Sequence, residues 1–167
     1  MSVSDLLRKN NIDVLRFTWV GLDGIIRSKG AYIDSVDDTI KTGIGLTMAM
    51  LSFTPMDYIS PYGTFGPQDE DVFLTPDLST LSIFPPSAVV LCYLYRNGSP
   101  WEYDPRSQLA KTLKKYSEEN DFTFKSSFEI EFYLVKDKKP YDDARCFDSK
   151  AYYNNQIIRE ISETAKS

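Results

Sequence analysis

Two glutamates stand two positions apart in residues 126–135, SSFEIEFYLV. Side chains alternate across a strand, so positions i and i+2 point the same way. Glu129 and Glu131 then share a face with Lys125, Ser127 and Tyr133. Phe124, Ser126, Phe128, Ile130, Phe132 and Leu134 line the other, mostly apolar face. Two carboxylates aimed into one space repel each other, and a divalent cation removes that penalty while gaining oxygen ligands. A retaining glycosidase sets an acid and a nucleophile about 5 Å apart, which neighbouring strand positions approach, although its two carboxylates usually come from different elements. A pH-sensitive interaction surface is a third use. The ordinary use is a solvated strand face with no chemistry at all. Pattern alone leaves these open.

Composition narrows what can surround the pair. The 167 residues suit one domain, or a small domain plus part of another. With 42% hydrophobic and 26% charged residues, the chain reads as globular rather than disordered. Its net charge is −5 and no basic run is long, which argues against nucleic acid as a partner. No apolar stretch approaches the ~20 residues that span a bilayer, so no membrane partner is expected. The start, MSVSDLLRKNN, lacks the apolar core of an export signal. Cys92 and Cys146 are therefore expected to be free thiols in a reducing cytoplasm. There are no histidines. A Ser-His-Asp triad, a Cys-His pair and a His-ligated zinc are thus impossible within the chain, and any metal must take oxygen ligands, which favours magnesium, manganese or calcium.

The elements that must carry the pair follow from turn and cap signals. SVSDLLRKNNID predicts a short helix capped by Ser4. Residues 14–33 predict a β-hairpin: Leu15, Phe17 and Trp19 alternate with Arg16, Thr18 and Val20, and Asp23-Gly24 suits a type I′ turn. Arg27 and Lys29 fall on what reads as a solvated strand face. DSVDDTIKTG predicts a helix with Ser35 as N-cap and Gly43 just past its end. Residues 44–70, broken by Pro55, Pro61, Gly63, Gly66 and Pro67, read as a long loop. DVFLTPDL and TLSIF predict short strands, and residues 88–95, AVVLCYLY, a buried one. DPRSQLAKTLKKYSEEN predicts a helix with Asp104 as N-cap, Pro105 at its first position, and Leu109, Leu113 and Tyr116 on one face. The glutamate strand, a polar loop and a helix over 154–167 with Ile157, Ile158 and Ile161 inward complete the chain. Two parts emerge, residues 1–100 and 101–167. The second shows one strand without a partner, and a lone strand cannot satisfy its backbone groups.

FEIEFYLV resembles the Glu-x-Glu-Phe strand of the glutamine synthetase family. GLDGIIRSKG resembles that family's first hairpin, DEDVFLTPDLSTLSIFP its Asp-x-x-Leu-x-Pro-Asp strand segment, and YDPRSQLAK its Asp-Pro-Arg helix start. The four motifs occur in family order along nearly the whole chain. The resemblance implies an α+β architecture: a β-grasp domain over 1–100, then over 101–167 the truncated beginning of the family's catalytic domain. It implies an ATP-dependent ligase that joins the γ-carboxylate of glutamate to ammonia or an amine through γ-glutamyl phosphate, in a cytoplasmic homo-oligomer. Carried over, Glu129 would help hold the Mg2+ or Mn2+ that bridges the ATP phosphates, and Glu131 the one near glutamate. Ammonia-using members carry Asp-Gly-Ser-Ser after the first helix. Here that loop reads GIGLTMAMLSFTPMD, which is more similar to relatives using larger amines, the γ-glutamyl-amide ligases; Asp57 is the candidate for the missing aspartate's role, against an ordinary reading as a loop cap. The family's other metal ligands, its histidine, ATP pocket and glutamate-binding arginines fall beyond this chain, so the 167 residues alone are expected to be inactive. The alternative is a short non-catalytic β-grasp module for binding or assembly.

Overall fold

Leu15, Phe17 and Trp19 are buried while Arg16 and Val20 are exposed, as a strand with one face on a core requires; they lie in β1 (Val14–Val20). The computed structural model describes residues 2–54, 56 and 58–129, and the backbone of 135–136 and 139–140. β1 pairs antiparallel with β2 (Ile26–Tyr32), Val14 opposite Tyr32. The connection differs from the expected type I′ turn. It is a five-residue loop in which the Gly24 N–H donates to the Gly21 carbonyl at 3.0 Å and the Gly21 N–H to the Ile25 carbonyl at 3.2 Å. Gly24 has φ 76°, but Asp23 does not have positive φ, because its carboxylate is used to accept the Ile25 N–H at 3.0 Å. Two consecutive positive φ values occur instead at Asn97 and Gly98, 50° and 77°, joining β6 (Ser87–Arg96) to β7 (Ser99–Pro100).

β6 organises the sheet. Its first half runs parallel to β1, Leu15 opposite Ala88. Its second half runs antiparallel to β4 (Asp71–Pro76), Cys92 opposite Pro76. β3 (Ile44–Thr47) pairs antiparallel with β4, giving the order β2-β1-β6-β4-β3, and β5 (Ser82–Phe84) and β7 also pair with β6. Part of the expected long loop is thus a strand: Leu46 is buried, and so are Met48 and Ala49 in the 3-10 turn that follows at Met48–Ser52. One face of β6 (Ala88, Val90, Cys92, Leu94) is fully buried with Leu15, Phe17, Val72 and Leu74. Lys29, on β2, donates to the Gly45 carbonyl of β3 and so ties the two outer strands together.

α1 (Val3–Lys9) is capped by Ser2 rather than Ser4. The Asp5 N–H donates to Ser2 Oγ at 3.1 Å, and the Ser2 N–H to the Asp5 carboxylate at 3.1 Å, a reciprocal capping box. Ser4 is buried instead; its N–H, at 3.2 Å, and its hydroxyl donate to Asp37 in the first turn of α2 (Val36–Thr42). Gly43, φ 76°, ends α2 as the sequence predicts. α3 (Pro105–Asn120) starts where expected, with Asp104 as cap.

The chain divides into two compact units, Met1–Phe124 and Lys125–Ser167, so α3 goes with the first. In the second unit β8 (Val135–Lys136) pairs antiparallel with β9 (Lys139–Pro140). Residues 122–129 form no strand; of the strand expected over 126–135, residues 130–134 lie outside the described residues and Val135 belongs to β8. No described segment pairs with 122–129, and a stretch without a ladder is not a strand. The helix expected over 154–167 lies outside the described residues. Among the described residues no helix is long and apolar enough to cross a membrane.

Candidate functional site

Glu129 lies in the stretch after α3 that has no regular secondary structure, and is exposed. Glu131 and Asp57 are outside the described residues. Asp57 belongs to a loop whose shoulders are described: Phe53 and Ile59 form an antiparallel bridge, and the Thr54 N–H donates to the Tyr58 carbonyl at 2.8 Å. Among the described residues no three acids or cysteines converge as a metal site. Glu129's oxygen donors suit a hard divalent cation, yet one exposed carboxylate does not complete the 6 or so ligands such an ion takes. The described residues therefore do not by themselves form a metal centre.

What they do form is a buried polar joint at the start of α3, upstream of Glu129. Asp104 is 3% exposed. Its carboxylate accepts from the Ser107 N–H at 3.0 Å, the Ser107 hydroxyl, the Arg106 N–H at 3.3 Å and, ten residues back, the Leu94 N–H of β6 at 3.2 Å. The side chain that caps the helix thus also satisfies a sheet N–H, which fixes α3 to β6. Arg106 adds a second tie. It donates to Asp77 at 2.8 Å, and its guanidinium lies 4.7 Å from the centre of the Tyr93 ring. Asp77 is held below the usual carboxylate range, first by hydrogen bonds from Ser79 and then by Arg106. Next to the joint, the rings of Phe65, Trp101 and Tyr103 pack with centres 5.1 to 5.4 Å apart. That spacing is direct ring contact, which leaves no room for a cation among them.

A second buried ion pair lies at the β1–β2 connection. Arg27 donates to both oxygens of Asp23, at 3.0 and 2.7 Å, with the side chains 13% and 5% exposed. The Arg27 hydrogen bonds pull the Asp23 carboxyl down to about 2. Arg27 is thus not on a solvated face, and Asp23 does more than turn the chain. Alternation missed this because a long Arg stem folds back along its own hairpin. The i, i+4 spacing of Asp23 and Arg27 was the available signal. Likewise the Asp-Pro-Arg motif signalled a helix start, but nothing in it named Leu94 or Asp77 as partners. Burial pushes the Cys92 thiol up to about 12, so it stays protonated and is no nucleophile.

The start of α3 also begins a family match. The family model for the glutamine synthetase catalytic domain matches residues 102–165. The glutamate–isopropylamine ligase of a Pseudomonas species is 31% identical over 145 residues, which cover 82% of this chain and 31% of that protein. Glutamine synthetase of Methanococcus maripaludis is 30% identical over 163 residues, covering 86% of this chain and 34% of that one. This chain belongs to the glutamine synthetase family. Solved structures agree on the fold. GmaS without ligand superposes with a TM-score of 0.67 at 17% identity, over 97% of this chain and 38% of GmaS. A glutamine synthase homolog superposes with a TM-score of 0.59 at 24% identity, over 64% and 27% of the two chains. The chain spans about a third of the length of the curated relatives it matches. The catalytic-domain match takes in α3, Glu129 and Glu131, whereas the break between compact units comes after Phe124. In this glutamine synthetase relative, the first helix of the catalytic match is thus built onto the sheet that precedes it.

Proposed function

We propose that these residues are the amino-terminal portion of an ATP-dependent ligase that joins the γ-carboxylate of glutamate to ammonia or an amine, through γ-glutamyl phosphate. The observation that carries this is the catalytic-domain match over residues 102–165, which contains both glutamates of the Glu-x-Glu strand. The sheet order β2-β1-β6-β4-β3, with its first hairpin and its parallel β1–β6 pair, supports reading the preceding part as a β-grasp domain. An amine larger than ammonia is the favoured acceptor. The loop after α2 lacks Asp-Gly-Ser-Ser, and one relative is a glutamate–isopropylamine ligase. Asp57, between the bridged shoulders of that loop, is the residue assigned to acceptor recognition.

Glu129 and Glu131 are assigned as ligands of Mg2+ or Mn2+, one at each of two sites. A divalent cation there would neutralise charge on the transferring phosphoryl group. The chain's own contribution is to hold two carboxylates at adjacent same-face positions, once 126–135 is paired as a strand. The enzyme is assigned to the cytoplasm as a homo-oligomer. The test is a manganese titration of the full-length protein against its Glu129→Ala and Glu131→Ala variants. Each variant should bind at least about tenfold more weakly, as loss of a metal-held carboxylate predicts; unchanged affinity rules out the assignment. The 167-residue chain alone is expected to show no γ-glutamyl transfer, and detectable transfer would show that it carries a complete site.

A further inference from the structure

A groove of about 550 Å³ runs along the first three turns of α3, within the first unit. Its floor is Tyr93 and Tyr95 of β6, its wall Gln108, Lys111 and Lys114 of α3, and Glu102 stands at the end nearest the helix start. We infer that this groove binds a small aromatic anion, with the ring on the tyrosine floor and the charge against Lys111 and Lys114.

The volume falls in the range of about 300–1,000 Å³ that small-molecule sites occupy. Tyr93 and Tyr95 are i and i+2 on β6, so both point away from the buried Cys92 and Leu94 and toward α3. Both are half-buried, which leaves ring surface open to a ligand. Arg106 lies on the Tyr93 ring and holds that part of the floor in place. Lys111 and Lys114 are i and i+3 on the helix and so lie on one side of it. Among the described residues Lys111 has no ion-pair partner, and Lys114 has a loose exposed one, Glu118 at 3.8 Å. The Tyr95 hydroxyl and the Gln108 amide likewise have no hydrogen-bond partner there and are free to meet polar ring edges. Glu102 gives the groove a direction. It disfavours an anion at its own end, so the ligand's charge belongs at the lysine end, about two helical turns along. A nucleoside monophosphate and an aryl carboxylate share this chemistry.

Calorimetric titration of the 167-residue chain with adenosine 5′-monophosphate and with indole-3-acetate distinguishes the two sources, and adenosine and inorganic phosphate serve as half-ligands. At least one of the two anions should bind with a Kd near or below about 1 mM. Each half-ligand should bind at least about tenfold more weakly than the anion that contains it or resembles it. Lys111→Glu with Lys114→Glu, both on the exposed helix surface, should weaken that anion by about tenfold or more. Glu102→Gln should tighten it two- to threefold, as removal of one screened like charge predicts. The tighter of the two anions names the ligand class. Absence of binding by both anions at about 5 mM would overturn the proposal, as would phosphate binding as tightly as the nucleotide, or an unchanged Kd in the double lysine variant.

Discussion

Phe17 and Phe128 are the same side chain in opposite circumstances. Phe17 is 0% exposed, between β2 and β6 in the centre of the sheet. Phe128, one residue before Glu129, is 91% exposed. Both sit in stretches whose sequence alternates like a strand. The difference lies in what runs alongside. β1 has a neighbour on each edge, whereas 122–129 has none among the described residues. Alternation states which side of a strand is apolar; it does not supply the partner that makes the strand. In this family member the sheet brings its partners within the chain, and residues 122–129 have none among the described residues.

The largest test of that contrast uses the pair directly. In urea unfolding of the 167-residue chain, Phe17→Ala should cost about 3–5 kcal/mol, because a cavity opens in a closely packed core. Phe128→Ala should change stability by less than about 0.5 kcal/mol. A Phe128→Ala cost above about 2 kcal/mol would mean that the stretch is packed after all.

Next comes the joint between α3 and the sheet. Asp104→Ala removes a helix cap, worth about 0.5–2 kcal/mol. It also strands the buried Leu94 N–H, which costs about 1–3 kcal/mol more. A total of about 1.5–5 kcal/mol is expected from the same measurement. Asp104→Asn keeps a capping oxygen and should recover part of it. A loss no greater than that of an ordinary exposed cap would show that the bond to the sheet contributes nothing.

How much of this was legible in the sequence follows from range. The β1 alternation, the β6 run, the Gly43 stop and the Asp104–Pro105 start are all signals contained within a few residues, and each stands where the sequence placed it. β3 was hidden because its four residues are shorter than any alternation worth counting and are followed by Gly- and Pro-rich loop. Ser4 was taken for a cap because a serine before Leu6 and Leu7 fits one; Ser2 and Asp5 made the better reciprocal pair, and Ser4 was drawn to Asp37, 33 residues away. The Leu94–Asp104 and Asp77–Arg106 contacts are likewise tertiary, and no spacing rule encodes them. The Glu-x-Glu spacing is likewise local, whereas the ladder partner that residues 126–129 would need as a strand is not a local property.

Acid separates the two regions more gently. Asp23 titrates near 2 in the folded chain, below the ordinary 3.8, chiefly because Arg27 donates to it. A carboxyl whose folded pKa is depressed contributes stability that is complete above its unfolded value and lost as pH falls through the folded one. Wild type should therefore lose stability relative to Asp23→Asn between about pH 3.8 and 2, and the difference should be flat above pH 5. Asp5, Asp37 and Asp77 are also held low, so the comparison with Asp23→Asn, rather than the wild-type curve, isolates this pair. Parallel curves through that window would show that the Asp23–Arg27 pair is not formed in solution.

The smallest expected effect lies at the far end of α3, where the helix gives way to the unpaired stretch. Asp121 adopts the left-handed conformation, φ 53° and ψ 44°, and its N–H donates to the Ser117 carbonyl at 3.1 Å. That backbone suits glycine better than aspartate, and a carboxylate at a helix C-terminus also meets the negative end of the helix dipole. Asp121→Gly should therefore raise stability by about 0.5–1 kcal/mol, in contrast to the loss expected at Asp104 on the other end of the same helix. Asp121→Asn, which tolerates the left-handed region and removes the charge, should recover part of the gain. If glycine instead destabilises the chain, α3 does not end in this turn, and residues 122–129 leave the helix along a different path from the one described.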